Sequence, residues 1–352
     1  MLHSSVIPFI ALFLVVILHL LEQANTEKCD YFTGNWIYET SSKSPFYDSK
    51  LCPFIGKEFS CEKNGRPDQR YHNYRWQPTS CNLSRFNGHD LLEKLRGKSV
   101  MFVGDSLSRN QWTSLVCLLY NSEPQQKYKF TRGSDDLTML TFTEYDVKVM
   151  LNRNQYLVDL VNETNGRILK LDSIEISGKP WKGIDMLIFN TWHWWYRKGS
   201  GQPWDYIEVS NELYKDMDRM VAFEKALNTW AAWIDNNIHP STSIVFFQGI
   251  SPTHYNGTEW DEVGGTCMGE TELIEGSTYP GGSPLALKVL KKVLSTVENM
   301  VTLLDITNLS QLRKDGHPSI YGINGKSVMD CTHWCLSGVP DAWNQILYNL
   351  LL

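Results

Sequence analysis

The sequence predicts a three-layer α/β fold with a mainly parallel sheet, preceded by a small lobe stapled by disulfide bonds. From residue 91 onward, short apolar runs alternate with longer segments of helical period. Because strands buried on both faces are apolar throughout and amphipathic helices cover them, this alternation is typical of a parallel sheet between two helical layers. Residues 28–82 hold four of the eight cysteines and no long periodic segment, which predicts a loop-rich lobe.

The elements of the larger region, residues 83–352, follow in chain order. Each predicted strand is a short apolar run, and each predicted helix repeats apolar residues every three or four positions. The predicted strands are residues 99–103, segments within 140–151, 185–190, 243–248 and 301–305. The predicted helices are residues 107–120, 216–237, 284–299 and 340–351. A chain of 352 residues is long enough to bury a large core in this region.

The first 24 residues are expected to direct the chain into the secretory pathway. Residues 6–21 are almost wholly apolar, which is the length of a signal-peptide core and slightly short for a membrane span of about 20 residues. Ala24 could precede a cleavage site, but Glu22 is unfavourable two positions earlier and residues 1–5 contain no Lys or Arg. Residues 1–24 are therefore interpreted as a signal peptide or an uncleaved signal-anchor, and both remain open.

The cysteines agree with an oxidising compartment. There are eight, an even number, so four disulfide bonds are the expected arrangement. Triplets of the N-glycosylation pattern, which predict a glycoprotein, begin at Asn82, Asn162, Asn256 and Asn308. Cys331, His333 and Cys335 could instead hold a metal ion, but the sequence lacks a second close Cys or His pair at metal-ligand spacing.

Composition excludes one class of partner and suggests another. The formal net charge of -6 gives the chain no overall basic surface for nucleic acid. The 13 Trp and 16 Tyr offer flat aromatic faces that could stack on carbohydrate rings, although a place in the core is the commoner use of such residues. The same two interpretations apply to the cluster of Trp192, Trp194 and Trp195.

The Gly104-Asp105-Ser106 motif carries the clearest chemical signal. It lies between an apolar strand and a helical segment, a geometry that presents a serine hydroxyl at the carboxyl end of a strand. Far downstream, Asp330 and His333 are three residues apart, a spacing that can place a carboxylate and an imidazole on one side of a turn. Together these residues predict the nucleophile, base and orienting acid that acyl transfer requires.

Attack of Ser106 on an ester or thioester carbonyl would give an acyl-serine and an oxyanion, which needs donors within about 3 Å. The Ser106 backbone N–H and the Asn190 side-chain amide are the candidate donors, and Asp105 is expected to fix the turn. The residues predicted around the oxyanion and substrate are Gly104, Asp105, Arg109, Asn190, Trp192, His193 and Trp194. A serine mechanism needs no metal ion, so we predict none.

Each predicted catalytic residue could also have a purely structural role. Asp105 and Ser106 could merely cap a helix, and His333 could be a packed histidine between disulfide-bonded cysteines. Other candidates for the base, none with an acid three residues before it, are His193, His254 and His317.

Several motifs in combination resemble those of one family. Gly104-Asp105-Ser106 with Asp330-x-x-His333, preceded by a Cys-rich lobe, resembles the plant trichome-birefringence-like family, whose catalytic part is a GDSL/SGNH-type esterase domain. Further matches are Cys29-Asp-Tyr-Phe-Thr-Gly-Asn-Trp36, Tyr74-Arg-Trp76, residues 104–111, Ser251-Pro-x-His254 and Asp315-Gly-His-Pro-Ser-Ile-Tyr321. The resemblance spans residues 28–352 and implies an SGNH/GDSL-hydrolase-like fold, with the lobe at 28–82 and a PC-esterase-type catalytic domain at 83–352.

Residue roles are also implied by the resemblance. It makes Ser106 the nucleophile, His333 the base and Asp330 its partner. Spacing alone cannot choose among the 105 pairings that eight cysteines allow. The resemblance implies the disulfide pairs Cys29–Cys81, Cys52–Cys117, Cys61–Cys335 and Cys267–Cys331. Two of these pairs would clamp the loop that carries His333.

The function implied by the resemblance is that of a polysaccharide O-acetyltransferase of the Golgi membrane, with a lumenal catalytic domain and an acetyl-serine intermediate. The expected partner is a cell-wall polysaccharide: xylan, mannan, xyloglucan or pectin. The expected co-substrate is an acetyl donor such as acetyl-CoA or an acetylated carrier, with no bound cofactor. Some relatives resemble secreted wall esterases that remove acetyl from pectin, and the short segment before Cys29 favours this alternative. A noncatalytic polysaccharide-binding protein with a vestigial triad is the third interpretation.

Overall fold

The structure is a computed structural model that describes residues 29–40, 45–123, 127–133, 137–323 and 328–352. The predicted signal peptide or signal-anchor, residues 1–24, lies outside these ranges. Among the helices within them, none combines the length and the apolar character that a membrane span requires.

The helices and strands are numbered separately in chain order. The helices are α1 Gly88–Lys94, α2 Ser106–Ser122, α3 Glu175–Gly178, α4 Arg219–Asn237, α5 Leu285–Leu294, α6 Thr307–Gln311 and α7 Val339–Leu350. The strands are β1 Gly34–Tyr38, β2 Tyr74–Pro78, β3 Ser99–Gly104, β4 Tyr128–Arg132, β5 Leu137–Phe142, β6 Val147–Arg153, β7 Asp159–Glu163, β8 Gly166–Lys170, β9 Met186–Phe189, β10 Tyr206–Val209, β11 Glu212–Tyr214, β12 Ile244–Gln248 and β13 Val301–Leu304.

A seven-stranded sheet in the order β13-β12-β9-β3-β6-β5-β4 forms the middle layer. The strands from β13 to β6 are parallel to their neighbours, and β5 and β4 continue the sheet in antiparallel pairing. The carboxyl ends of the parallel strands lie at one edge, where loops build binding sites in such sheets. The mainly parallel sheet confirms the predicted fold class.

Strand β3 explains why a continuous apolar run belongs at the centre. Successive side chains of a strand point to opposite faces. Val100 and Phe102 pack with helices α1, α2 and α7 on one face, while Met101 and Val103 pack with α4 and α5 on the other. All four side chains are buried. The helices thus cover both faces and complete the three layers.

Some elements differ from the sequence predictions. Helix α4 begins at Arg219 rather than at 216, because the Asp218 carboxylate accepts hydrogen bonds from the N–H groups of Met220 and Val221 and caps the first turn. Helix α5 ends at Leu294, five residues before the predicted end. Strand β4 and a four-stranded sheet in the order β11-β10-β8-β7 were not predicted from the sequence. These strands are three to five residues long and none of them is an uninterrupted apolar run, and β4, β7 and β11 are mostly exposed.

The N-terminal lobe is tied to the main domain by covalent and polar contacts. The disulfide bonds are Cys29–Cys81, Cys52–Cys117, Cys61–Cys335 and Cys267–Cys331, which are the pairs that the resemblance implies. Trp36 on β1 donates its indole N–H to the Leu309 carbonyl at 2.7 Å. Four disulfide bonds are typical of a protein that folds in the secretory pathway.

The buried carboxylate of Asp341 connects the lobe with helices α2 and α7. Asp341, in the first turn of α7, accepts hydrogen bonds from Ser114 on α2 at 2.5 Å and from Tyr47 of the lobe at 3.1 Å. It also accepts the Gly338 N–H at 2.7 Å. Burial raises the pKa of Asp341 to about 6, although these hydrogen bonds oppose the shift.

The raised pKa of Asp341 predicts how stability responds to pH. The folded state binds a proton as the pH falls through about 6, whereas the unfolded chain does so only near about 4. Between pH 7.5 and 5, the free energy of unfolding is therefore expected to rise by about 1 kcal/mol from this group. Chemical denaturation at both pH values measures the rise, and an Asp341→Asn variant should lack it. An equal rise in that variant would assign the effect to other groups.

Candidate active site

The turn between β3 and α2 presents Ser106 at the first position of the helix. Asp105 caps the helix, since its carboxylate accepts the Leu107 N–H at 2.8 Å. Gly104 has φ +156, and a Cβ at this position would lie 2.3 Å from the Asn190 carbonyl oxygen and 2.4 Å from Ser108 Oγ. The turn therefore requires glycine, and Asp105 fixes the turn through its cap.

Ser106, His333 and Asp330 form a continuous hydrogen-bonded chain. His333 Nε2 lies 2.7 Å from Ser106 Oγ, and His333 Nδ1 lies 2.8 Å from Asp330 Oδ2. The other oxygen, Asp330 Oδ1, accepts the backbone N–H groups of Thr332 and His333, each at 3.0 Å. This is the geometry in which a histidine can take the proton of a serine hydroxyl.

The electrostatics keep Asp330 ionised. Burial by itself would raise its pKa, but the hydrogen bond and charge of His333, with the two backbone N–H groups, lower the pKa of Asp330 to about 2. Its carboxylate is therefore charged at neutral pH, so it can accept the Nδ1–H of His333 and stabilise the imidazolium.

The loop that carries His333 is held from several sides. Cys331 is bonded to Cys267, and Asp330 pairs with Ser319 through two backbone hydrogen bonds of 2.8 and 3.1 Å. The Tyr255 hydroxyl accepts the Cys331 N–H at 3.1 Å. The position of the imidazole is thus set by tertiary contacts on either side of it.

Asn110, which was not predicted from the sequence, connects helix α2 to this loop. Asn110 lies one turn after Ser106 on α2, and its Oδ1 accepts the Trp334 N–H at 2.7 Å while its Nδ2 donates to the Trp334 carbonyl at 3.2 Å. The residue after His333 is therefore fixed relative to the helix that carries Ser106. The sequence signal that could have found it is an asparagine four residues after Ser106, inside the predicted helix 107–120.

Replacing Asn110 is expected to reduce turnover more than its distance from the chemistry suggests. Asn110→Ala should lower kcat by about 10- to 100-fold with a small change in KM, because a shift of about 1 Å between Ser106 and His333 is enough for such a loss. Steady-state kinetics on an acetyl ester measures both constants. Gln111→Ala is the matched control, since the Gln111 side chain bonds Asn344 on α7 instead of the His333 loop. Equal losses of kcat in the two variants would contradict a positioning role for Asn110.

The other candidate bases lie apart from Ser106. His317 and His254 lie behind the loop: His317 Nδ1 is 2.7 Å from the His333 carbonyl oxygen, and His317 Nε2 is 2.6 Å from His254 Nδ1. Burial lowers the pKa of both rings, that of His254 to about 4. Both are fully buried, so they support the loop. Among the histidines that the structure describes, His333 is the one hydrogen-bonded to Ser106.

Asn190 and His193 both lie beside the turn. Asn190 Oδ1 lies 3.3 Å from the Asp105 N–H nitrogen and 3.3 Å from Ser108 Oγ, so the amide oxygen faces the turn. His193 is buried, its Nδ1 is 3.2 Å from the Tyr196 hydroxyl, and burial lowers its pKa. The sequence predicts both residues near the oxyanion. In the structure both follow strand β9, at the edge of the sheet where the parallel strands have their carboxyl ends.

The aromatic cluster after β9 divides between core and surface. Trp195 is fully buried and donates its indole N–H to Thr191 Oγ1 at 2.8 Å. Trp192 is half-buried against Phe223. Trp194 is also half-buried, and the Arg197 guanidinium covers its ring at 3.7 Å. That cation occupies one face of the ring on which a sugar could stack.

Arg109 and two residues of the lobe complete the surroundings of the triad. Arg109 Nη2 pairs with Glu58 at 2.5 Å, and its guanidinium lies over the Phe59 ring at 5.6 Å. The Phe59 ring centre is 5.7 Å from that of His333. The lobe therefore forms one wall of the site.

The remaining predicted sites are the glycosylation asparagines and the alternative metal site. Asn82, Asn162 and Asn256 are exposed, whereas Asn308 is half-buried and its Nδ2 donates to the Ser277 carbonyl at 2.8 Å. Cys331 and Cys335 are in disulfide bonds, which excludes the alternative metal site. Within the described ranges, no three His, Cys, Asp or Glu side chains are grouped to hold a metal ion.

Comparison with known proteins gives matches over nearly the whole chain. Residues 83–350 match the GDSL/SGNH-like acyl-esterase family found in Pmr5 and Cas1p, and residues 27–82 match the PMR5 N-terminal domain. The chain is 54% identical to protein trichome birefringence-like 41 of Arabidopsis thaliana over 346 residues, which are 97% of this chain and 96% of that protein. It is 50% identical to protein trichome birefringence-like 43 of Arabidopsis thaliana over 361 residues, which are 99% of this chain and 97% of that protein.

A more distant relative shares the same region. Protein trichome birefringence of Arabidopsis thaliana is 40% identical over 348 residues, which are 93% of this chain and 56% of that protein. The matches cover the lobe, the Gly104-Asp105-Ser106 turn and the Asp330 to His333 loop together. The chain therefore belongs to the trichome birefringence-like proteins, within the GDSL/SGNH-like acyl-esterase family.

Proposed function

We propose that this protein is an O-acetyltransferase that moves acetyl groups onto hydroxyls of a cell-wall polysaccharide through an acetyl-Ser106 intermediate. The observation that carries the proposal is the chain from Ser106 Oγ through His333 to Asp330, with contacts of 2.7 and 2.8 Å. Membership of an acyl-esterase family supports acyl chemistry at this serine.

The first half-reaction forms the acetyl-enzyme. His333 Nε2 takes the hydroxyl proton while Ser106 Oγ bonds to the carbonyl carbon of an acetyl donor, an ester or a thioester. The tetrahedral intermediate collapses as the bond to the leaving group breaks, and His333 returns the proton to that group. Asp330 holds Nδ1–H throughout, so Nε2 is the nitrogen that exchanges protons.

The oxyanion of this intermediate needs donors at the turn. The Ser106 backbone N–H lies at the start of α2, where helical N–H groups have no partner within the helix. The Asn190 amide oxygen faces Asp105 and Ser108, so its NH₂ group is the end left for an oxyanion. Removing one such donor typically costs about 10²- to 10³-fold in kcat.

The second half-reaction resolves the acetyl-enzyme. His333 takes the proton of a sugar hydroxyl, whose oxygen bonds to the acetyl carbon, and Ser106 Oγ leaves and regains a proton. The product is an acetylated sugar and free Ser106. With water in place of the sugar the product is acetate, so the same triad would act as an acetylesterase. Positioning of the acceptor decides between these outcomes.

The proposed setting is the Golgi lumen, with residues 1–24 as a membrane anchor. The four disulfide bonds and the apolar run at residues 6–21 support the secretory pathway. Secretion to the cell wall after signal cleavage is the alternative. Mass spectrometry of the mature N-terminus distinguishes the two, because an intact N-terminus supports the anchor.

The test uses purified protein and Ser106→Ala with two labelled substrates. One is a labelled acetyl donor offered with deacetylated xylan and pectin oligosaccharides, and the other is labelled acetyl-pectin. Label on an oligosaccharide, absent from the variant, is the expected result. Release of acetate from acetyl-pectin without label transfer would replace the transferase by an esterase. Equal rates in the variant would overturn both, and would favour a noncatalytic binding protein.

A further inference from the structure

A groove of about 700 Å³ lies beside helix α2, the helix that begins with Ser106. Helix α2 lies on one side, strands β4, β5 and β6 form the floor, and Phe54 of the N-terminal lobe forms part of the wall. Three arginines line it, Arg109, Arg132 and Arg153. We call it the arginine groove, and nothing in the proposed chemistry has used it.

Strand register places the arginine groove next to the nucleophile. Arg153, the last residue of β6, is the register partner of Gly104 at the end of β3. Arg132, the last residue of β4, ends at the same edge because β4 and β6 are each antiparallel to β5. Three strand spacings of about 4.8 Å separate β3 from β4, so the groove extends about 14 Å outward from the turn that carries Ser106.

The charge of the groove is local and available. Arg132 and Arg153 are exposed, and neither forms an ion pair with a carboxylate of the residues described by the structure. Arg109 is paired with Glu58. The whole chain has a net charge of -6, so two arginines without an ion pair among the described residues run against its overall charge.

Aromatic rings lie between these charges. Tyr128 and Phe130 of β4 point to the same face as Arg132 and are 41% and 42% exposed. Phe54 contacts both rings, with centroid distances of 5.3 and 6.3 Å, and the Arg132 guanidinium lies over the Phe130 ring at 5.7 Å, so Tyr128 is the ring that no arginine covers among the described residues. Exposed aromatic faces suit the apolar faces of sugar rings, and guanidinium groups suit carboxylates, which they can bind through two hydrogen bonds.

We propose that the arginine groove binds a carboxylate-bearing stretch of the acceptor polysaccharide, next to the unit whose hydroxyl reaches acetyl-Ser106. This inference rests on the proposed function for the identity of the ligand as an acceptor. Arg132 is level with Leu151 across β5, so Arg153 lies two strand spacings away and two residues further along, and the two Cα atoms are about 12 Å apart. Arginines rooted that far apart suit carboxylates on separate sugar units, whereas a single phosphate group would need both guanidinium groups to converge on one point.

The test measures binding to the full-length chain carrying Ser106→Ala, so that no turnover interferes. The probes are an oligogalacturonide and a neutral xylo-oligosaccharide of equal length, titrated by calorimetry. The double variant R132Q/R153Q is expected to lose at least about tenfold in affinity for the oligogalacturonide, since each arginine contributes a charge-assisted hydrogen bond. Its affinity for the neutral probe should not change.

Lys129→Gln is the matched control. Lys129 lies on the same strand and is exposed, but it points to the opposite face, so removing its charge should leave the affinity for the oligogalacturonide within about twofold. A loss as large as that of the double variant would reduce the effect to general surface charge and overturn the proposal. Equal affinity of the parent for both probes would also overturn it.

Two further arms separate this proposal from the proposed function. Cleavage of p-nitrophenyl acetate by the chain with Ser106 intact tests the acyl chemistry alone, and Lys129→Gln should not change its rate. If the chain with Ser106 intact fails to cleave this ester while the binding experiment still shows that the arginines bind the oligogalacturonide, the proposed function is wrong and the proposal for the arginine groove is supported. If the double variant instead loses affinity for acetyl-CoA, the groove is a donor site and the proposal is wrong.

Discussion

Ser106→Ala is expected to lower acetyl transfer or ester cleavage by at least about 10³-fold, because removing the nucleophile leaves only the catalysis that binding and oxyanion donors provide. The hydroxyl is half-exposed and its bond within the described residues is to His333, so the free energy of unfolding should change by less than about 1 kcal/mol. Kinetics on an acetyl ester, with denaturant unfolding of the same preparations, measures both quantities.

An acyl-enzyme trap sharpens this prediction. Acid quenching during turnover should leave a mass increase of one acetyl group on the peptide that contains Ser106, and the increase should be absent from Ser106→Ala. Ser108→Ala is a useful neighbour, because Ser108 Oγ bonds the Val103 carbonyl and Asn190 instead of His333. An acetyl group on Ser108 or on another residue would remove Ser106 from the reaction.

Asp330→Asn is expected to cost about 10³- to 10⁴-fold in kcat while leaving the fold intact. The amide oxygen can still accept the backbone N–H groups of Thr332 and His333, so the loop keeps its shape. Its NH₂ group, however, faces His333 Nδ1 and favours the tautomer that carries the proton on Nε2. That nitrogen can then no longer accept the proton of Ser106.

The pH dependence of this variant provides a second readout. The pKa of Asp330 is about 2, below the unfolded value, so its stabilising contribution is present above about pH 4 and disappears as the pH falls toward 2. The kcat defect of Asp330→Asn should therefore be constant between pH 5 and 8. A variant with more than a tenth of the parent kcat would show that the carboxylate does not orient the base.

The N-terminal lobe emerges as part of the site rather than an appendage. Glu58 pairs with Arg109, Phe59 packs beside His333, and Cys61 is bonded to Cys335, two residues after His333. The lobe also supplies Phe54 to the wall of the arginine groove. Because these contacts join segments more than 45 residues apart, the lobe and the esterase-like domain have to fold together before the site is complete.

The sequence by itself determined the features that depend on local pattern. The apolar run ending in Gly104-Asp105-Ser106 predicts a strand, a tight turn and a helix, because burial on both faces and the Gly104 geometry are properties of that segment. The spacing of three residues between Asp330 and His333 also predicts their contact, because one turn of the chain can bring two such side chains together. The three-layer fold followed from the alternation of such segments.

Only the tertiary structure decided what depends on distant segments. The 2.7 Å contact between His333 and Ser106 joins residues 227 positions apart in the sequence. The hydrogen bond between Asn110 and Trp334 joins residues 224 positions apart. Strand β4 has no apolar run, so only its pairing with β5 places Arg132 beside the site. Local propensity carries no information on such pairings, because long-range contacts form only when the buried faces of the sheet and helices meet.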